Sequence, residues 1–201
     1  MKAIKLLVLV SAFVMMVQPM RAGSLSLCDS IPGNLVTNCG FETGDFTGWT
    51  TGGNFEFTSV TSGTYYDYGG ANSGNYYAVL GPVGSDATLS QTLSTNAGTD
   101  YIFAFYLASV GDNPSDFSAY WDGTQLLSLT NPNSGGAYTL YTFSVTGTGS
   151  DTIQFDFRDD PAYMALDDTS VSAIPEPSTL SLLFLGLGLG ITLVGRQRLF
   201  A

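Results

Sequence analysis

Carboxylates that could bind a cation stand near both ends of the central part of this chain. Glu42 follows the run Asn-Cys-Gly-Phe, and Asp167 and Asp168 are adjacent in the run Tyr-Met-Ala-Leu-Asp-Asp-Thr-Ser-Val. Ca²⁺ and other hard divalent cations prefer carboxylate and carbonyl oxygens. If the fold brings the two ends together, these carboxylates repel one another, and a divalent cation would offset that repulsion. The alternative is that the acids are solvated or hydrogen-bonded and bind no ion.

The central part of the chain is strongly acidic. Of the six basic residues only Arg158 lies between residues 23 and 174, and of the 17 acidic residues only Glu176 lies outside that range. The central part therefore carries 16 acidic groups against one basic group, a formal charge of −15. This excludes nucleic acid and anionic lipid surfaces as partners, because both require clustered Lys and Arg. The acidity suits divalent cations, or it only keeps an extracellular domain soluble, and both can hold.

The chain contains no histidine. This excludes Ser-His and Cys-His nucleophile pairs as well as imidazole metal sites. An enzyme would have to work with a pair of carboxylates, as glycosidases do. We therefore predict a non-catalytic protein and keep a carboxylate-dependent, glycan-active enzyme as the least favoured alternative.

Residues 1–22 have the features of a secretory signal peptide. Lys2 and Lys5 precede an apolar stretch over residues 6–17, and cleavage after Ala22 or Gly23 would follow. The apolar stretch is short for a membrane span, which favours removal over the alternative of a retained signal anchor.

The C-terminal region combines a proline-rich motif, an apolar run and a basic tail. Residues 178–195 carry no charge and are long enough for a membrane-spanning helix, which needs about 17–25 residues. The flanking residues are Pro175, Glu176 and Pro177 on one side and Arg196 and Arg198 on the other. The arginines are expected to stay in the cytoplasm, so the chain before Pro175 lies outside. A buried core helix, the alternative, does not explain a run that is apolar all round and ends in paired arginines.

This arrangement over residues 175–198 resembles the PEP-CTERM sorting signal of Gram-negative bacteria. The resemblance implies processing by an exosortase, a membrane-embedded cysteine protease that cuts near the Pro-Glu-Pro motif. It implies an intermediate anchored in the inner membrane by helix 178–195 with the tail 196–201, and then transfer to the cell surface or extracellular matrix. It also implies an association with exopolysaccharide and biofilm.

The two cysteines, Cys28 and Cys39, lie in the part predicted to be exported. Outside the cytoplasm they are predicted to form a disulfide that closes a small loop and pins the N-terminal segment to the first strand. Loop entropy makes such a bond worth on the order of 2–3 kcal/mol. The alternative, a reactive thiol, is not favoured because no cation lies nearby in sequence to lower the pKa of the thiol.

Short runs with alternating apolar residues, separated by turn residues, fill the central part and favour β-strands. In residues 152–158, Ile153, Phe155 and Phe157 are predicted to point inward, whereas the nearly continuous run 101–108 is expected to be buried on both faces. Asp122-Gly123 predicts a hairpin turn. The predicted strands are 54–60, 76–80, 87–93, 101–108, 116–121, 125–129, 138–146, 152–158 and 163–171. Roughly eight to ten strands in one domain, residues 23–174, predict an all-β, antiparallel jelly-roll β-sandwich.

Two motifs resemble those of the galactose-binding-like jelly-roll domains, which include several carbohydrate-binding modules. One motif covers residues 34–49 and contains Asn-Cys-Gly-Phe-Glu, and the other covers residues 163–171. The resemblance implies a structural Ca²⁺ that ties the first strand to the last. Its ligands would be the Gly40 carbonyl, the Glu42 carboxylate and Asp168, with Asp167 as the alternative. A ligand from the middle of the chain is usual in that family, and the sequence does not place it.

Aromatic residues near turns are the candidates for sugar contact, because the C–H face of a pyranose packs on an aromatic ring. The candidates are Tyr65, Tyr66, Tyr68 and Trp121. Packed or adhesive aromatic residues are the alternative, and none of the four matches a binding motif of the family. Trp49, which completes the first motif, is assigned to the core.

These features together predict an exported, non-catalytic protein that is processed by an exosortase and associated with exopolysaccharide. The alternative is a calcium-stabilised carbohydrate-binding module. A matrix protein would tolerate changes in the aromatic loops, whereas a binding module would lose affinity for its polysaccharide.

Overall fold

Ten β-strands and one short 3₁₀-helix, Leu27–Ser30, make up the regular structure of the computed structural model, which describes residues 25–160 and 162–175. The predicted signal peptide 1–22 lies outside these residues, as do Glu176, Pro177, helix 178–195 and the tail 196–201. No helix within the described ranges is long and apolar enough to span a membrane. The strands are β1 (Thr50–Gly53), β2 (Ser59–Ser62), β3 (Tyr76–Leu80), β4 (Ala87–Ser94), β5 (Asp100–Ser109), β6 (Ser115–Trp121), β7 (Thr124–Thr130), β8 (Thr139–Thr146), β9 (Ser150–Asp159) and β10 (Met164–Ala173).

The strands form two five-stranded antiparallel sheets that face each other. One sheet has the order β1-β4-β9-β6-β7 and the other the order β2-β3-β10-β5-β8. Phe105 and Phe155, one from each sheet, meet edge to face with ring centroids 4.9 Å apart. The alternation predicted for β9 is confirmed, since Ile153, Phe155 and Phe157 are all fully buried. The predicted all-β antiparallel sandwich is therefore confirmed.

The pairing of β10 with its neighbouring strands defines two ends of the sandwich. Its first residue, Met164, pairs with Leu80 and Ser109, and its last, Ala173, pairs with Tyr101. The turns 54–58, 81–86, 110–114 and 160–163 all lie at the Met164 end, which we call the Tyr163 end. Pro175, the first residue of the sorting signal, follows Ala173 at the opposite end, the Ala173 end. A strand of this length is roughly 30 Å long, at about 3.3 Å per residue.

The predicted strand 54–60 is wrong. The chain instead forms β1, a turn and then β2, and Phe57 within the turn has a φ of 57°. That left-handed backbone conformation interrupts an extended chain and separates the two phenylalanines. Phe55 packs against Phe46 at 5.2 Å, whereas the Phe57 side chain is 59% exposed.

Two other expectations need adjustment, and one is confirmed. β5 is hydrogen-bonded on both sides, but Ile102, Ala104 and Tyr106 on its outer face are only half-buried, so the strand is not covered on both faces. The disulfide does not pin the N-terminal segment to the first strand, because the segment around it, although Thr37 bonds Gln91 of β4, is hydrogen-bonded to the last strand at both cysteines. There the Leu35 amide donates to the Val171 carbonyl at 2.9 Å.

The Asp122-Gly123 hairpin is confirmed, and both residues have the positive φ that a two-residue turn of type I′ requires.

Candidate functional site

The adjacent carboxylates Asp167 and Asp168 lie at a β-bulge in β10. The pairing of β10 with β5 shifts between Asp167 and Ser170, and Asp168 has a φ of 50°. Both side chains are buried, Asp167 completely. A bulge turns successive side chains out of strict alternation, so both carboxylates can point to the same side. Sequence alternation could not decide between the two, and the structure brings both into the same place.

Asp167 is held by backbone amides. Its Oδ2 accepts hydrogen bonds from the amides of Asn72 at 2.8 Å and Ser73 at 3.3 Å, and its Oδ1 accepts one from the Asp168 amide at 2.7 Å. Burial, and secondly the charge of Asp168, raise the pKa of Asp167 to about 8. The amides lower that pKa but do not outweigh desolvation. Asp167 is therefore a buried acid whose ionised form needs a further positive charge.

Asp168 joins three parts of the chain. Its Oδ2 accepts hydrogen bonds from the Asn72 side chain and the Ser73 hydroxyl, both at 2.7 Å, and its Oδ1 accepts one from the Cys28 amide at 3.2 Å. The loop 71–75, the 3₁₀-helix and β10 therefore meet at one carboxylate.

Glu42 reaches the same loop from the N-terminal segment. Its Oε1 accepts hydrogen bonds from the amides of Asn75 at 2.8 Å and Tyr76 at 3.1 Å. Gly74 leaves room for this contact, since a Cβ there would lie 2.7 Å from the Glu42 carboxyl carbon. Gly40 is buried, and a Cβ on it would lie 2.5 Å from the Ser26 side chain and 3.5 Å from Asp167 Oδ1. Three of the four predicted calcium ligands, Glu42, Asp167 and Asp168, thus contact one loop, and Gly40 lies next to Asp167.

The carboxylates of Glu42, Asp167 and Asp168 do not all lie within coordination distance of one point. Among the described residues, the one group of three His, Cys, Asp or Glu side chains with ligand atoms mutually within 4.8 Å is Cys28, Asp29 and Cys39. Its two sulfurs are joined in the predicted disulfide, which is confirmed, with an S–S distance of 2.03 Å. Glu42, Asp167 and Asp168 therefore share a loop without closing to coordination distance.

Sequence reasoning missed the loop itself. Asn72, Ser73 and Asn75 supply the amide, hydroxyl and side-chain donors to all three acids. The only signal in the sequence is a polar run around Gly74, with no periodicity that would relate it to residues far away in the chain. This loop belongs to the middle of the chain, where the family resemblance implies a further ligand that the sequence did not place.

An exposed aromatic patch lies at the Tyr163 end. It consists of Phe57, Tyr66, Val83 and Tyr163, which we call the aromatic patch. The Tyr66 and Tyr163 rings are 5.7 Å apart, and Phe57, Val83 and Tyr163 line a cavity of about 160 Å³. Phe57 is 59% exposed and Tyr66 is 51% exposed, and both have left-handed backbone, with φ values of 57° and 52°. Bulky residues rarely adopt that conformation, and such strain tends to occur at functional positions.

The four predicted sugar-contact residues have different environments. Tyr66 is exposed, and Tyr65 is half-buried with its ring 5.2 Å from that of Tyr163. Tyr68 is 1% exposed and donates its hydroxyl to the Tyr163 carbonyl, so it anchors the loop. Trp121 is buried with its ring 6.4 Å from that of Phe103. The rings of Tyr68 and Trp121 are therefore not available for stacking on a sugar, because both fill core positions. Trp49 lies in the core as predicted and stacks on Phe41 at 5.7 Å.

A second concave surface lies on the outer face of the second sheet. It has a volume of about 380 Å³ and lies between the 3₁₀-helix and the β8 edge. Leu27, Tyr106 and Leu140 are among its lining residues, and Leu140 is 51% exposed. This groove is mainly apolar and borders Asp168.

Solved structures of several carbohydrate-binding modules have the same fold as this chain. The chain is 18% identical to TmCBM61, solved in complex with β-1,4-galactotriose, with a TM-score of 0.57 over 70% of this chain and 99% of that one. It is 16% identical to the CBM22-1 xylan-binding domain of Paenibacillus barcinonensis Xyn10C, with a TM-score of 0.50 over 68% and 92%. The enzymatically active domain of bacteriophage CBA120 tailspike protein 4 matches at 17% identity and a TM-score of 0.51, over 70% of this chain but 21% of that one. At these identities the likeness concerns the fold alone, and it confirms the predicted jelly-roll type.

The C-terminal region carries a recognised signal. The family model of the PEP-CTERM protein-sorting motif matches residues 173–198. The resemblance predicted from Pro175, Glu176 and Pro177 with the following apolar run and arginines is therefore confirmed. A sequence comparison with curated proteins finds no match for this chain.

Proposed function

We propose that this chain is an exported, non-catalytic protein that an exosortase processes and that binds polysaccharide at the cell surface or in the extracellular matrix of a Gram-negative bacterium. The sorting motif supports export and processing. The fold shared with carbohydrate-binding modules supports a binding role. Association with exopolysaccharide and biofilm follows from the same resemblance and is part of this proposal.

The aromatic patch is the proposed sugar-contact surface. The observation that carries it is the strained backbone of its two most exposed rings, Phe57 and Tyr66. The core residue Phe41 has a similar φ of 59°, so a left-handed backbone alone does not mark a contact site. Phe57 and Tyr66 differ from Phe41 in being exposed, and an exposed ring recovers little of the cost of that backbone by burial. Exposed apolar surface of this kind, bordered by polar residues, is typical of interaction sites.

A non-catalytic role agrees with the position of the carboxylates. The chain lacks histidine, and the three most buried acids, Asp151, Asp159 and Asp167, have no exposed surface that a polysaccharide could reach. A carboxylate-dependent enzyme needs an acid and a base on either side of an accessible glycosidic bond. The glycan-active enzyme therefore stays the least favoured alternative.

Affinity electrophoresis of the purified protein in gels with exopolysaccharide from the producing organism tests the proposal, with calcium present. The protein is expected to be retarded, and Tyr66→Ala to remove most of the retardation. Leu140→Ala is the matched control, because Leu140 is equally exposed but lies at the apolar groove. Loss of binding in Leu140→Ala with none in Tyr66→Ala would place the site in the groove. No retardation of the folded wild-type protein would leave a matrix protein without a saturable glycan site.

We also propose that the Asp167–Asp168 bulge holds a structural calcium ion. The residues fit such an ion in charge, because two adjacent carboxylates are buried together and Gly40, whose carbonyl is a predicted ligand, lies next to Asp167. Arg158, the one basic residue in the described part of the chain, pairs elsewhere, 3.5 Å from Asp116 and 3.8 Å from Asp160. Asp167 and Asp168 would be the ligands, with the Gly40 carbonyl and Glu42 near the same loop. The ion would supply the positive charge that the bulge lacks.

Thermal unfolding of the purified protein tests the calcium proposal. Chelation is expected to lower the melting temperature by several degrees, and calcium, but not magnesium at equal concentration, to restore it. At about 100 times the dissociation constant, binding adds about 2.7 kcal/mol. Asp168→Asn is expected to reduce the calcium response, whereas Asp100→Asn, an exposed acid on β5, leaves it unchanged. A wild-type melting temperature that is the same in calcium and in chelator would contradict the proposal.

A further inference from the structure

A buried aspartate without a protein partner lies at the Tyr163 end of β9. Asp159 is fully buried, and neither of its carboxylate oxygens accepts a hydrogen bond from any residue that the structure describes. Desolvation of this kind strongly disfavours an ionised carboxylate. A buried polar group with no partner in a native structure calls for an ion, a water molecule or a proton.

A second carboxylate lies near Asp159, because Ser115 pairs with Asp159 across the sheet and its hydroxyl donates to the Asp112 carbonyl at 2.7 Å. Asp112, in the turn between β5 and β6, has its Oδ2 buried and, within the described residues, without a partner. Its charge adds to burial in raising the pKa of Asp159 to about 7, with smaller contributions from Asp160 and Asp116. Arg158 points to the other side of the strand, where it pairs with Asp116 and Asp160. The groups around Asp159 are therefore predominantly acidic.

The opposite end of β9 shows what a buried aspartate looks like when the protein itself satisfies it. Asp151 is also fully buried and occupies the same face of the strand. It accepts hydrogen bonds from the hydroxyl groups of Thr95 and Thr148 and from the Thr148 amide. Asp159 has none of these donors. The contrast indicates that the partner of Asp159 is not among the residues that the structure describes.

We propose that Asp159 and Asp112 bind a divalent cation, Ca²⁺ in an exported protein, at a site separate from the Asp167–Asp168 bulge. Two carboxylates with unused oxygens are the ligands that hard cations prefer. The ion would neutralise both acids where the turn 110–114 meets the end of β9. It would also fix the turn 160–163, which carries Tyr163 of the aromatic patch. Burial raises the pKa of the Tyr68 hydroxyl, and the charges of Asp159 and Asp112 raise it further, so Tyr68 borders the same site.

The number of bound calcium ions tests this proposal without any polysaccharide, so its outcome is independent of sugar binding. The purified full-length protein is stripped with chelator and dialysed against calcium, and bound calcium is measured by elemental analysis. Asp159→Asn and Asp112→Asn are each expected to hold one ion fewer than the wild type. Asp156→Asn, a half-buried acid on the outer face of the same strand, is the control and is expected to hold the wild-type number.

Combination with the first site separates the two ions. Asp168→Asn is expected to lose a different ion, so Asp159→Asn combined with Asp168→Asn loses two. Wild-type calcium content in both Asp159→Asn and Asp112→Asn, with native near-ultraviolet circular dichroism, would overturn the proposal.

Melting temperatures provide a second readout that a purely structural role would not produce. In chelator, Asp159→Asn is expected to melt at or above the wild type, because a buried uncompensated charge is removed. In the presence of calcium the wild type is expected to have the higher melting temperature. If calcium never raises the melting temperature of the wild type above that of Asp159→Asn, a proton rather than an ion keeps Asp159 neutral, and the proposal is overturned.

Discussion

Two exposed aromatic residues of this protein have a strained backbone conformation. Phe57 and Tyr66 have left-handed φ values although both are bulky, and both rings face solvent at the Tyr163 end. For such residues the left-handed conformation costs about 1–2 kcal/mol. Because exposed rings recover little of this by burial, a contact with a ligand gives a reason for it. Strain and exposure at the same residue therefore separate candidate ligand contacts from core aromatic residues such as Tyr68.

Phe57→Asn is expected to stabilise the fold and weaken polysaccharide binding. Asparagine tolerates the left-handed conformation, so the free energy of unfolding should rise by up to about 1 kcal/mol. Phe57→Ala removes the same ring without relieving the backbone, and it should weaken binding without stabilising the fold. Denaturant unfolding measures the first effect and affinity electrophoresis the second. Unchanged binding in both variants would remove Phe57 from the sugar site.

Thr95→Val is expected to reduce stability at neutral pH and to flatten its dependence on acid. Burial opposes ionisation of Asp151, but hydrogen bonds, first from Thr95 and then from Thr148, outweigh it and lower the pKa of Asp151 to about 2. A lowered folded-state pKa stabilises the protein above the unfolded value of 3.8, and this contribution is lost as the pH falls from about 4 to about 2. Removal of the Thr95 hydroxyl brings the two pKa values closer.

Unfolding free energies measured from pH 2 to pH 7 check this expectation. Thr92→Val is the matched control, because the Thr92 side chain is exposed and its hydroxyl bonds only the Thr152 hydroxyl, at 3.1 Å. Equal pH profiles for Thr95→Val and the wild type would show that Asp151 does not depend on Thr95.

At the scale of elements, the last strand is the point where distant parts of the chain are joined. The bulge in β10 accepts the 3₁₀-helix through the Cys28 amide, and Thr169 next to it donates to the Cys39 carbonyl at 2.9 Å. The disulfide holds those two attachment points at a Cα–Cα distance of 6.0 Å. The N-terminal segment is thus a strap across β10 and not an edge strand.

Replacement of both cysteines by serine is expected to release this strap while the two sheets remain. The loss in the free energy of unfolding should be on the order of 2–3 kcal/mol. Hydrogen exchange should accelerate at the Leu35 and Thr169 amides and stay slow in β9. Ser30→Ala, a mild change in the same 3₁₀-helix, serves as control and should leave exchange at Thr169 unchanged. Global acceleration that includes β9 would show that the strap belongs to the core.

At the scale of the whole molecule, the start of the sorting motif and the aromatic patch lie at opposite ends. Ala173 and Met164 are the two ends of β10, and the match to the sorting motif begins at Ala173. A protein tethered through its C-terminal segment would therefore hold the aromatic patch roughly 30 Å further from the membrane, at about 3.3 Å per residue of strand. This orientation suits the binding of a polymer outside the cell.

Site-directed labelling of the full chain in native membranes tests the orientation. Val83→Cys at the Tyr163 end should react quickly with a bulky maleimide, and Thr146→Cys at the Ala173 end should react slowly. Both positions are exposed, so the two rates should become similar in detergent. Equal rates in membranes would contradict tethering at the Ala173 end.

The local pattern of the sequence was sufficient for much of the fold and for the sorting motif. Alternation over residues 152–158 identified β9 because one face of that strand is buried, and Asp122-Gly123 identified the hairpin because few residue pairs accept two positive φ values. The sorting motif is contiguous, so its residues can be recognised without a fold. The cysteine pair was predictable because the chain has only two.

Only the tertiary structure decided which residues meet. It placed Asn72 and Ser73 on the carboxylates of β10, put Tyr68 and Trp121 in the interior, and gave Asp159 no hydrogen-bond donor among the described residues. Each depends on contacts between residues far apart in the chain, on a bulge that breaks alternation, or on a left-handed residue that ends a strand. Periodicity records which face of an element is buried, but it carries no information about the element that covers that face.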